Sequence, residues 1–572
     1  DPLLRPVEWK RRQEVRMTTD VPIQNPDSFA QRPVGSIGTL VGPPICSAWA
    51  RASVAERVEW VGRFRRLVAR HQAELCSLME VEIGKTPSEA LFADVAPLLA
   101  AIGWCERHAG SILKPRRQRG APWWLGSVRV TKRMEPLGAV AIIATWNYPV
   151  QLLGIQLVHA LAAGNTVMVK PSESAPRTQV RLLELAAEAG LPRGALTVRP
   201  ATREAGSAML AEFRFDHVVF TGSTAVGRAI NISLAGSLTP ATLELSGRDS
   251  ALVLEDADPK FAARCIWTAV TVNAGQTCMG PRRAIVHEAV YPAFVAELSK
   301  LASRARPRQM ISEAAAVRCH ELAQAAMKGG ARDATGTLAE PLGRLVRPTA
   351  IVDCRADQAV VQGDHFGPLL AVLSVANITE MLRVHRSVGQ HLVTSVFVKD
   401  RSRGRELAAE LGSGIVMLND VMVPTGHPAV GLGGHGASGM GVSRGEEGIR
   451  SMARPVWVTE SKGGIRKMAM TLSPAMVRAA AWFIRWWYGG GLRERLAASE
   501  SIPQAKSGPE AGVPLATPAV RSMGGERVGA DDGVSGEAGL RTEIKLVQAP
   551  GAGAATMQAP DISAETEGSR TS

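Results

Sequence analysis

The segment Leu137-Gly138-Ala139-Val140-Ala141-Ile142-Ile143-Ala144 is a short apolar run that decides the expected fold. A run of this kind is typical of a parallel strand that is buried on both faces. The sequence next predicts a helix over 150–163 and a second strand over Thr166–Lys170. Strand, helix and strand at this spacing indicate a βαβ unit within a doubly wound α/β sheet.

The same alternation continues on both sides of this unit. Upstream, over residues 53–109, apolar residues recur at helical spacing. Downstream, the patterns predict a helix over 177–189, a strand over 216–220, a helix over 226–232 and a strand over 242–245. A second α/β region follows from 250 to 426, with strands over 251–254, 284–286 and 395–398. We therefore expect an α/β protein of two or three domains.

Composition narrows the class of protein. The chain has 572 residues, of which 45% are apolar and 21% are charged, and these values are typical of a soluble globular protein. Its seven cysteines are scattered and form no C-x-x-C pair, which argues against a disulfide framework and against a zinc site. With no apolar stretch typical of a secretory signal, these features predict a cytoplasmic location.

The net charge of +13 raises the question of nucleic-acid binding. The densest basic stretch, over residues 114–133, contains no acidic residue and has only Trp123 and Trp124 as aromatic neighbours. A nucleic-acid site needs a recognisable binding module or a stacking platform, and neither is evident. A solvated arginine-rich surface is the favoured interpretation, with anionic lipid headgroups as an alternative partner.

The best candidate for a reactive group lies in Asn273-Ala274-Gly275-Gln276-Thr277-Cys278-Met279-Gly280. One cysteine sits there among small residues, and Gly275 allows the backbone to turn where a side chain would block a ligand. A lone cysteine is most often a buried structural residue. Cys278 is the exception to consider, because other stretches offer an oxyanion donor, a carboxylate base and a nucleotide site.

Those stretches lie at the ends of predicted strands. Asn147 follows the strand 137–144 and has an amide N–H suited to an oxyanion, although a helix cap is the commoner use of such an asparagine. Glu244 is a carboxylate inside an apolar strand, which is costly unless it serves as a base in a cleft. The turn at Phe220-Thr221-Gly222-Ser223 opens a helix that can receive a pyrophosphate. Lys170 and Glu173 suit an adenosine ribose, or they form an ordinary surface pair.

Together these segments resemble the aldehyde dehydrogenase superfamily over residues 40–465. The matching motifs occur in family order: Trp146-Asn147-Tyr148-Pro149, Lys170-Pro171-Ser172-Glu173, Phe220-Thr221-Gly222-Ser223, Glu244-Leu245-Ser246-Gly247, Asn273 to Cys278, Phe366-Gly367-Pro368, and Leu432-Gly433-Gly434 with Ser438-Gly439-Met440-Gly441. Asn419-Asp420-Val421-Met422 with His427-Pro428 resembles the branch that includes fatty aldehyde dehydrogenase. The resemblance implies a Rossmann-type NAD-binding domain, a second α/β catalytic domain and a small β-extension for oligomerisation.

The resemblance also implies roles for single residues. Cys278 is the nucleophile, Asn147 with the backbone N–H of Cys278 forms the oxyanion hole, and Glu244 activates the water that hydrolyses the thioester. The residues implied for the cofactor are Trp146, Lys170, Ser172, Glu173, Gly222, Ser223, Asp364 and Phe366. Asp364 stands where the family has a glutamate that holds the nicotinamide ribose, and a shorter side chain there is expected to loosen the ring. No metal is implied.

The implied activity is oxidation of an aldehyde to its acid with NAD(P), through a thiohemiacetal and a thioester on cysteine. Glu173 favours NAD, because a carboxylate repels a 2′-phosphate, and NADP stays possible. One alternative is a coenzyme A-acylating dehydrogenase, which Glu244 disfavours. The other is a catalytically slow homologue with a binding or structural role, which Asp364 and Leu432 favour; Leu432 departs from the family's Pro-Phe-Gly-Gly turn.

The predicted domain boundaries complete this interpretation. They are an N-terminal arm over 1–40, the NAD-binding domain over 41–125 and 137–248, the catalytic domain over 249–430, oligomerisation strands over 126–136 and 450–462, an amphipathic helix over 473–495 and a disordered tail over 496–572. The exposed strands predict a homodimer or a larger assembly. The amphipathic helix is rich in tryptophan and flanked by arginine, which predicts either contact with a membrane surface, favouring long-chain aldehydes, or an ordinary capping helix.

Overall fold

The computed structural model describes residues 42–122, 128–336, 338–461 and 473–489. The chain divides into two units, Asp1–Met470 and Thr471–Ser572, and each is described by itself. The predicted arm over 1–40 and tail over 496–572 lie outside the described residues. The strands are β1 (Arg116–Gln118), β2 (Arg129–Pro136), β3 (Ala139–Ile143), β4 (Thr166–Lys170), β5 (Leu196–Val198), β6 (His217–Gly222), β7 (Ala241–Leu245), β8 (Ser250–Val253), β9 (Arg283–His287), β10 (Arg308–Gln309), β11 (Arg332–Asp333), β12 (Leu345–Val346), β13 (Thr349–Val352), β14 (Leu369–Val375), β15 (Gln390–His391), β16 (Val393–Phe397), β17 (Ile415–Leu418), β18 (His435–Gly436), β19 (Gly439–Met440) and β20 (Ala453–Glu460).

The helices occupy the segments between these strands, in the alternation that the sequence predicts. They are α1 (Ser47–Arg51), α2 (Val54–Arg70), α3 (Gln72–Ile83), α4 (Pro87–Ala90), α5 (Ala96–Leu113), α6 (Gln151–Ala162), α7 (Pro176–Glu188), α8 (Arg203–Glu212), α9 (Thr224–Ala235), α10 (Pro259–Thr271), α11 (Tyr291–Ser303), α12 (Glu313–Lys328), α13 (Ala359–Gln362), α14 (Ile378–Arg386), α15 (Arg401–Ala408), α16 (Gly445–Ser451) and α17 (Pro474–Tyr488). A π-helical turn over Leu91–Val95 joins α4 to α5, and 3-10 turns cover Val272–Gly275 and Val423–Gly426.

A six-stranded sheet contains the predicted βαβ unit. Its order is β19-β7-β6-β3-β4-β5, with β3 to β7 parallel and β19 antiparallel to β7. The chain runs outward from β3 through β4 to β5, returns to β6 beside β3, and continues to β7. The two directions separate between β3 and β6, which is where open α/β sheets bind their ligands. The prediction of a doubly wound α/β sheet is confirmed.

Burial explains why the first apolar run is a strand. Every residue of β3 and of β4 is buried, as is every residue of α6 that connects them. The helical segment Pro87–Leu113 is long and apolar enough to cross a membrane by length and composition. In the structure its apolar face packs in the protein core with Trp60, Phe64 and Leu153. Core packing is therefore sufficient to account for its hydropathy.

A seven-stranded sheet forms the second α/β region. Its order is β11-β13-β14-β9-β8-β16-β17, and all neighbours are parallel except the short edge strand β11. The three strands predicted in this region correspond to β8, β9 and β16. The segment that carries Cys278 connects α10 to β9, so it lies before one of the central strands of this sheet.

The two exposed strands predicted for oligomerisation are present as β2 and β20. They pair with each other, antiparallel, from Arg129 opposite Glu460 to Pro136 opposite Ala453. In the three-stranded order β1-β2-β20, the outer edge of β20 has no neighbour among the described residues. Because β2 is paired on both sides, only this edge of β20 keeps the unpaired backbone groups on which the oligomer prediction relies. The oligomeric state stays a prediction.

The second unit contains one described helix, α17. Ser473 caps it by accepting a hydrogen bond from the backbone N–H of Met476, and Pro474 occupies its first turn. The helix ends at Tyr488, earlier than the predicted bound, and residues 490–495 lie outside the described residues. None of its residues is buried, and its large exposed side chains include Trp482 and Trp486.

Candidate active site

The loop that carries Cys278 begins where α10 ends. Asn273, Ala274 and Gly275 all have left-handed backbone angles, with φ of 52°, 52° and 67°. Residues other than glycine rarely adopt this region, so the surrounding structure must hold the turn. A Cβ atom on Gly275 would collide with the backbone carbonyl of Gly367. Glycine is therefore required at position 275 because two protein loops pack closely there. The sequence-based prediction that it makes room for a ligand is not supported.

Arg282 holds the same loop in place. It is 1% exposed, and its guanidinium donates to the carbonyl oxygens of Gly275, Thr277 and Gly280 at 3.3, 2.8 and 3.1 Å. Its Nε donates to Oδ1 of Asp364 at 3.1 Å. Burial is the largest single influence on Asp364 and raises its pKa, but the charge of Arg282, its hydrogen bond and the other neighbouring groups together lower the pKa of this carboxyl below its usual value. A partly buried, hydrogen-bonded ion pair thus fixes the loop.

The thiol of Cys278 lies at the edge of an apolar cluster that includes Leu432. Burial raises the pKa of the thiol to about 12, and the nearby charge of Glu244 adds to this rise. The charges of Arg444 and Arg282 act in the opposite direction. The thiol is therefore protonated at neutral pH in the free protein, and Glu244 lies within electrostatic range of it.

Glu244 is 5% exposed, near the carboxyl end of β7. Its Oε2 accepts hydrogen bonds from Thr221 Oγ1 at 3.1 Å and from Gln156 Nε2 at 3.3 Å. Its Oε1 accepts from the hydroxyl of Ser443. Burial raises the pKa of the Glu244 carboxyl, and the charge of Arg444 is the first influence against this rise. The carboxylate is thus oriented by three neutral donors and is more basic than an ordinary glutamate.

Ser443 reaches Glu244 because β19 pairs with β7. Gly439 lies opposite Glu244 in this pairing, with φ of 121°, and a Cβ atom there would collide with the carbonyl of Leu243. Ser443 follows within the same segment, and its backbone exchanges hydrogen bonds of 2.6 and 2.8 Å with Leu432. The glycine-rich C-terminal motif therefore delivers a hydroxyl to the carboxylate.

Asn147 connects the six-stranded sheet to the cysteine loop. It is 3% exposed, and its Nδ2 donates to the carbonyl oxygen of Gln276 at 3.1 Å. Asn273 donates in turn to the carbonyl oxygen of Asn147 at 3.0 Å. An asparagine amide has two N–H groups, so one remains for another acceptor. The backbone N–H of Cys278 also has no acceptor among the described residues.

The turn between β6 and α9 offers an anion site. Gly222 ends the strand, and Ser223 caps the helix by accepting from the backbone N–H of Val226. The N–H groups of Thr224 and Ala225 have no acceptor among the described residues. Free N–H groups and the helix dipole at such a position favour a phosphate group. These residues fit a dinucleotide pyrophosphate, the role that the sequence predicts for Gly222 and Ser223.

Other cofactor candidates lie at the neighbouring strand ends. Lys170 is 4% exposed at the end of β4, and its Nζ is 2.6 Å from Oε1 of the half-exposed Glu173. Ser172 is buried in the turn between them. Trp146 meets the ring of Phe366 edge-on, with 5.9 Å between ring centroids. Lys170 binds one carboxylate oxygen of Glu173 and thereby orients this side chain. The second oxygen stays available for a ribose hydroxyl, the role predicted from the sequence.

This geometry can be compared with known proteins. The family model described as "Aldehyde dehydrogenase family" matches residues 45–458, which is most of the chain. The chain belongs to the aldehyde dehydrogenase family. The resemblance drawn from the sequence is confirmed at this level, whereas the branch that includes fatty aldehyde dehydrogenase stays a prediction.

Among curated relatives, this aldehyde dehydrogenase is 31% identical over 416 residues to the 4,4'-diapolycopene aldehyde oxidase of Methylomonas sp, over 71% of this chain and 78% of that protein. It is similar to the NAD+ complex structure of aldehyde dehydrogenase from Bacillus cereus, with a TM-score of 0.68, 27% identity and coverage of 72% and 85%. It is also similar to an E. coli NADP-dependent enzyme, with a TM-score of 0.68, 27% identity and coverage of 72% and 87%. The protein is an NAD(P)-dependent aldehyde dehydrogenase, and the predicted fold class and cofactors are confirmed.

Leu432 and Asp364, the two departures from the family pattern, both make defined contacts in this aldehyde dehydrogenase. Leu432 is 1% exposed, fills the apolar cluster beside Cys278 and pairs with Ser443. Asp364 uses Oδ1 for Arg282, so only its other oxygen is left for a ribose. Both residues therefore pack or bond against the segments that carry Cys278 and Ser443.

Three residues of the site escaped the sequence analysis, namely Arg282, Ser443 and Arg444. The two arginines could have been identified from the sequence, because each is a charged residue next to a predicted buried segment. Such a charge must be paired or must bind a ligand. Ser443 gave no such signal, since its position depends on the pairing of β19 with the distant strand β7. The structure brings together Cys278, Glu244 and Asn147; their catalytic roles stay predictions at this point.

Proposed function

We propose that the enzyme oxidises an aldehyde to its carboxylic acid through covalent catalysis by Cys278. The supporting observation is the placement of one thiol beside a buried, three-fold hydrogen-bonded carboxylate, Glu244. The thiol gives its proton to solvent, and the thiolate sulfur attacks the aldehyde carbon to form a thiohemiacetal. Arg282 and Arg444 lower the cost of forming that thiolate.

The oxyanion of the thiohemiacetal then needs donors that are already in place. Asn147 has a second amide N–H, and the backbone N–H of Cys278 has no acceptor among the described residues. Donors held rigidly in a buried site stabilise a developing charge more than water does. We assign the oxyanion hole to these two groups.

The cofactor would lie along the carboxyl edge of the six-stranded sheet. The N–H groups at the start of α9 would hold the pyrophosphate, and Glu173, oriented by Lys170, would accept from the adenosine ribose. Trp146, which precedes Asn147, packs edge-on against Phe366, and Asp364 would offer one oxygen to the nicotinamide ribose. Bound NAD supplies the acceptor for the hydride that leaves the thiohemiacetal carbon, which becomes a thioester.

Glu244 completes the reaction by activating water. A carboxylate whose pKa is raised by burial is a stronger base than an exposed one, so it removes a proton from water more readily. The hydroxide attacks the thioester carbon, the acid leaves, and the thiolate is regenerated. The presence of this base favours hydrolysis over transfer of the acyl group to coenzyme A.

Replacing the nucleophile tests this proposal. We expect Cys278→Ser to abolish reduction of NAD with every aldehyde while the protein still binds NAD, because the thiol is part of the chemistry and not of the anion site at α9. Steady-state kinetics and calorimetric titration with NAD measure the two effects. Cys265→Ser, which removes a partly buried thiol from α10, is the matched control with activity retained. Substantial turnover by Cys278→Ser would refute the assignment.

We also propose three further properties. They are a dimer formed through the outer edge of β20, contact of α17 with anionic membranes, and a cytoplasmic location. The first rests on the unpaired strand edge, and the second on the exposed tryptophans of α17. The location rests on the scattered, unpaired cysteines, which suit a reducing compartment.

A further inference from the structure

Arg444 is a buried cation with spare hydrogen-bonding capacity. It is 4% exposed, and its backbone has φ of 66°, a region that side chains rarely adopt. Among the described residues its guanidinium makes one hydrogen bond, from Nη1 to the carbonyl oxygen of Thr425 at 3.0 Å. Its Nε is buried without any acceptor. Because a guanidinium has five N–H donors, most of its binding capacity is unused.

The carboxylate with the strongest electrostatic influence on Arg444 does not fill this capacity. Glu244 influences Arg444 through its charge, but its own oxygens accept from Ser443, Thr221 and Gln156. A buried cation that lacks a direct partner is costly, since desolvation is not offset by hydrogen bonds. Arg444 is therefore suited to an anion that arrives with the substrate.

A pocket gives that anion a place to bind. It has a cavity volume of about 10 Å³, room for about one water, and is lined by Arg444 together with Gln151, Ile155, Thr425 and His427. The side-chain amide of Gln151 has no hydrogen bond to any described residue, so it is a second available donor. Because this space is so small, a carboxylate can enter only by displacing water and shifting the side chains that line the pocket, which favours a short substrate.

The pocket adjoins the reacting groups. Arg444 follows Ser443, whose hydroxyl contacts Glu244, and its charge acts on both Glu244 and the thiol of Cys278. Arg444 also donates to the carbonyl of Thr425, whose hydroxyl lies 3.0 Å from Sδ of Met279, the residue after Cys278. A short chain would therefore connect an aldehyde carbon at Cys278 with the guanidinium. An apolar tail in this position would leave the cation without a partner.

We propose that Arg444, with Gln151, binds the carboxylate of a short aldehyde that carries a second, terminal acid group. This inference rests on the proposed function, because the aldehyde must face Cys278. A planar guanidinium matches a carboxylate through paired N–H···O bonds, which gives orientation as well as affinity. The proposal favours four- and five-carbon aldehyde acids over the long-chain aldehydes expected from membrane contact by α17.

Matched substrates provide the test. The ratio of kcat/KM is measured for 4-oxobutanoate against butanal and for 5-oxopentanoate against pentanal, with NAD and wild-type enzyme. We expect at least one pair to favour the acid by about tenfold or more. Arg444→Met should lower that ratio by about tenfold to a hundredfold, as expected for loss of a hydrogen-bonded charge. Arg450→Met, which removes an arginine paired with Glu446 in α16, the helix that begins directly after Arg444, should leave the ratio unchanged.

The outcomes separate this inference from the proposed function. Equal or lower kcat/KM for the acids in wild type, or a ratio unchanged in Arg444→Met, overturns the carboxylate site while aldehyde oxidation stands. If no aldehyde is oxidised, the proposed function fails, and binding of butanedioate to the full chain decides the site. Calorimetry should then show binding weakened about tenfold or more by Arg444→Met; equal binding overturns the inference. If Arg444→Met does not fold, Gln151→Leu and Arg444→Lys replace it, and both should weaken binding of butanedioate.

Discussion

At the residue scale, the protonation state of Cys278 is set first by burial and then by opposing charges. Burial and Glu244 both raise the pKa of its thiol, to about 12, while Arg444 and Arg282 oppose them. Cys278, the proposed nucleophile, is thus largely a protonated thiol at neutral pH, and the reactive thiolate is a minor species. The neighbouring charges therefore control how fast Cys278 reacts.

The pH dependence of alkylation tests this balance. Because the thiolate fraction grows tenfold per pH unit below the pKa, the rate at which iodoacetamide modifies Cys278 should climb about tenfold per unit from pH 7 to pH 10 without a plateau. Glu244→Gln removes a charge that raises the pKa, so it should accelerate alkylation at pH 8. Peptide mapping by mass spectrometry isolates Cys278 from the other cysteines. A plateau near pH 8 would contradict the raised pKa.

The backbone of the cysteine loop depends equally on one residue, Gly275. Gly275→Ala adds a Cβ that meets the Gly367 carbonyl at a positive φ, so it should destabilise the protein by about 2 kcal/mol or more. Gly343→Ala is a matched control, because φ there is 57° and a Cβ would meet open space. Denaturant unfolding measures both variants. Similar losses for the two would show that loop packing adds nothing to the backbone effect.

At the element scale, strands with a complete apolar run were predictable, and pairings between distant segments were not. The run at Ala139–Ile143 is buried on both faces and appears as β3, because its composition suits no other environment. The pairing of β2 with β20 joins segments far apart in the chain, so alternation showed exposed strands without showing that they pair. Ser443 was not predicted for the same reason, because it reaches Glu244 through the pairing of the distant strands β19 and β7.

The role of α17 is a further question at this scale. Its exposed Trp482, Trp486 and Trp487 suit a headgroup boundary, where aromatic rings are enriched. Truncation after Met470 should abolish sedimentation with anionic liposomes and preserve turnover of short-chain aldehydes. Failure of the full-length chain to sediment, or binding unchanged by truncation, would refute membrane contact. Neutral liposomes are the control for electrostatic attraction.

At the scale of the whole catalytic unit, residues from two sheets meet at one site. Asn147 and Glu244 come from strand ends of the six-stranded sheet, and Cys278 comes from the loop that enters the seven-stranded sheet. The hydrogen bond from Asn147 to Gln276 joins the two. Motif order was enough to predict this set of residues. The pocket at Arg444 was not predictable, because its lining comes from segments whose approach no local pattern encodes.

The central claim is that Cys278 carries the acyl group and that Glu244 is needed to release it. Rapid mixing of Glu244→Gln with NAD and an aldehyde, followed by mass spectrometry of the quenched protein, tests this most directly. The account predicts a burst of about one NADH per active site, slow later turnover, and an acyl adduct on the Cys278 peptide. Steady turnover at the wild-type rate, or an adduct absent from Cys278, would contradict it.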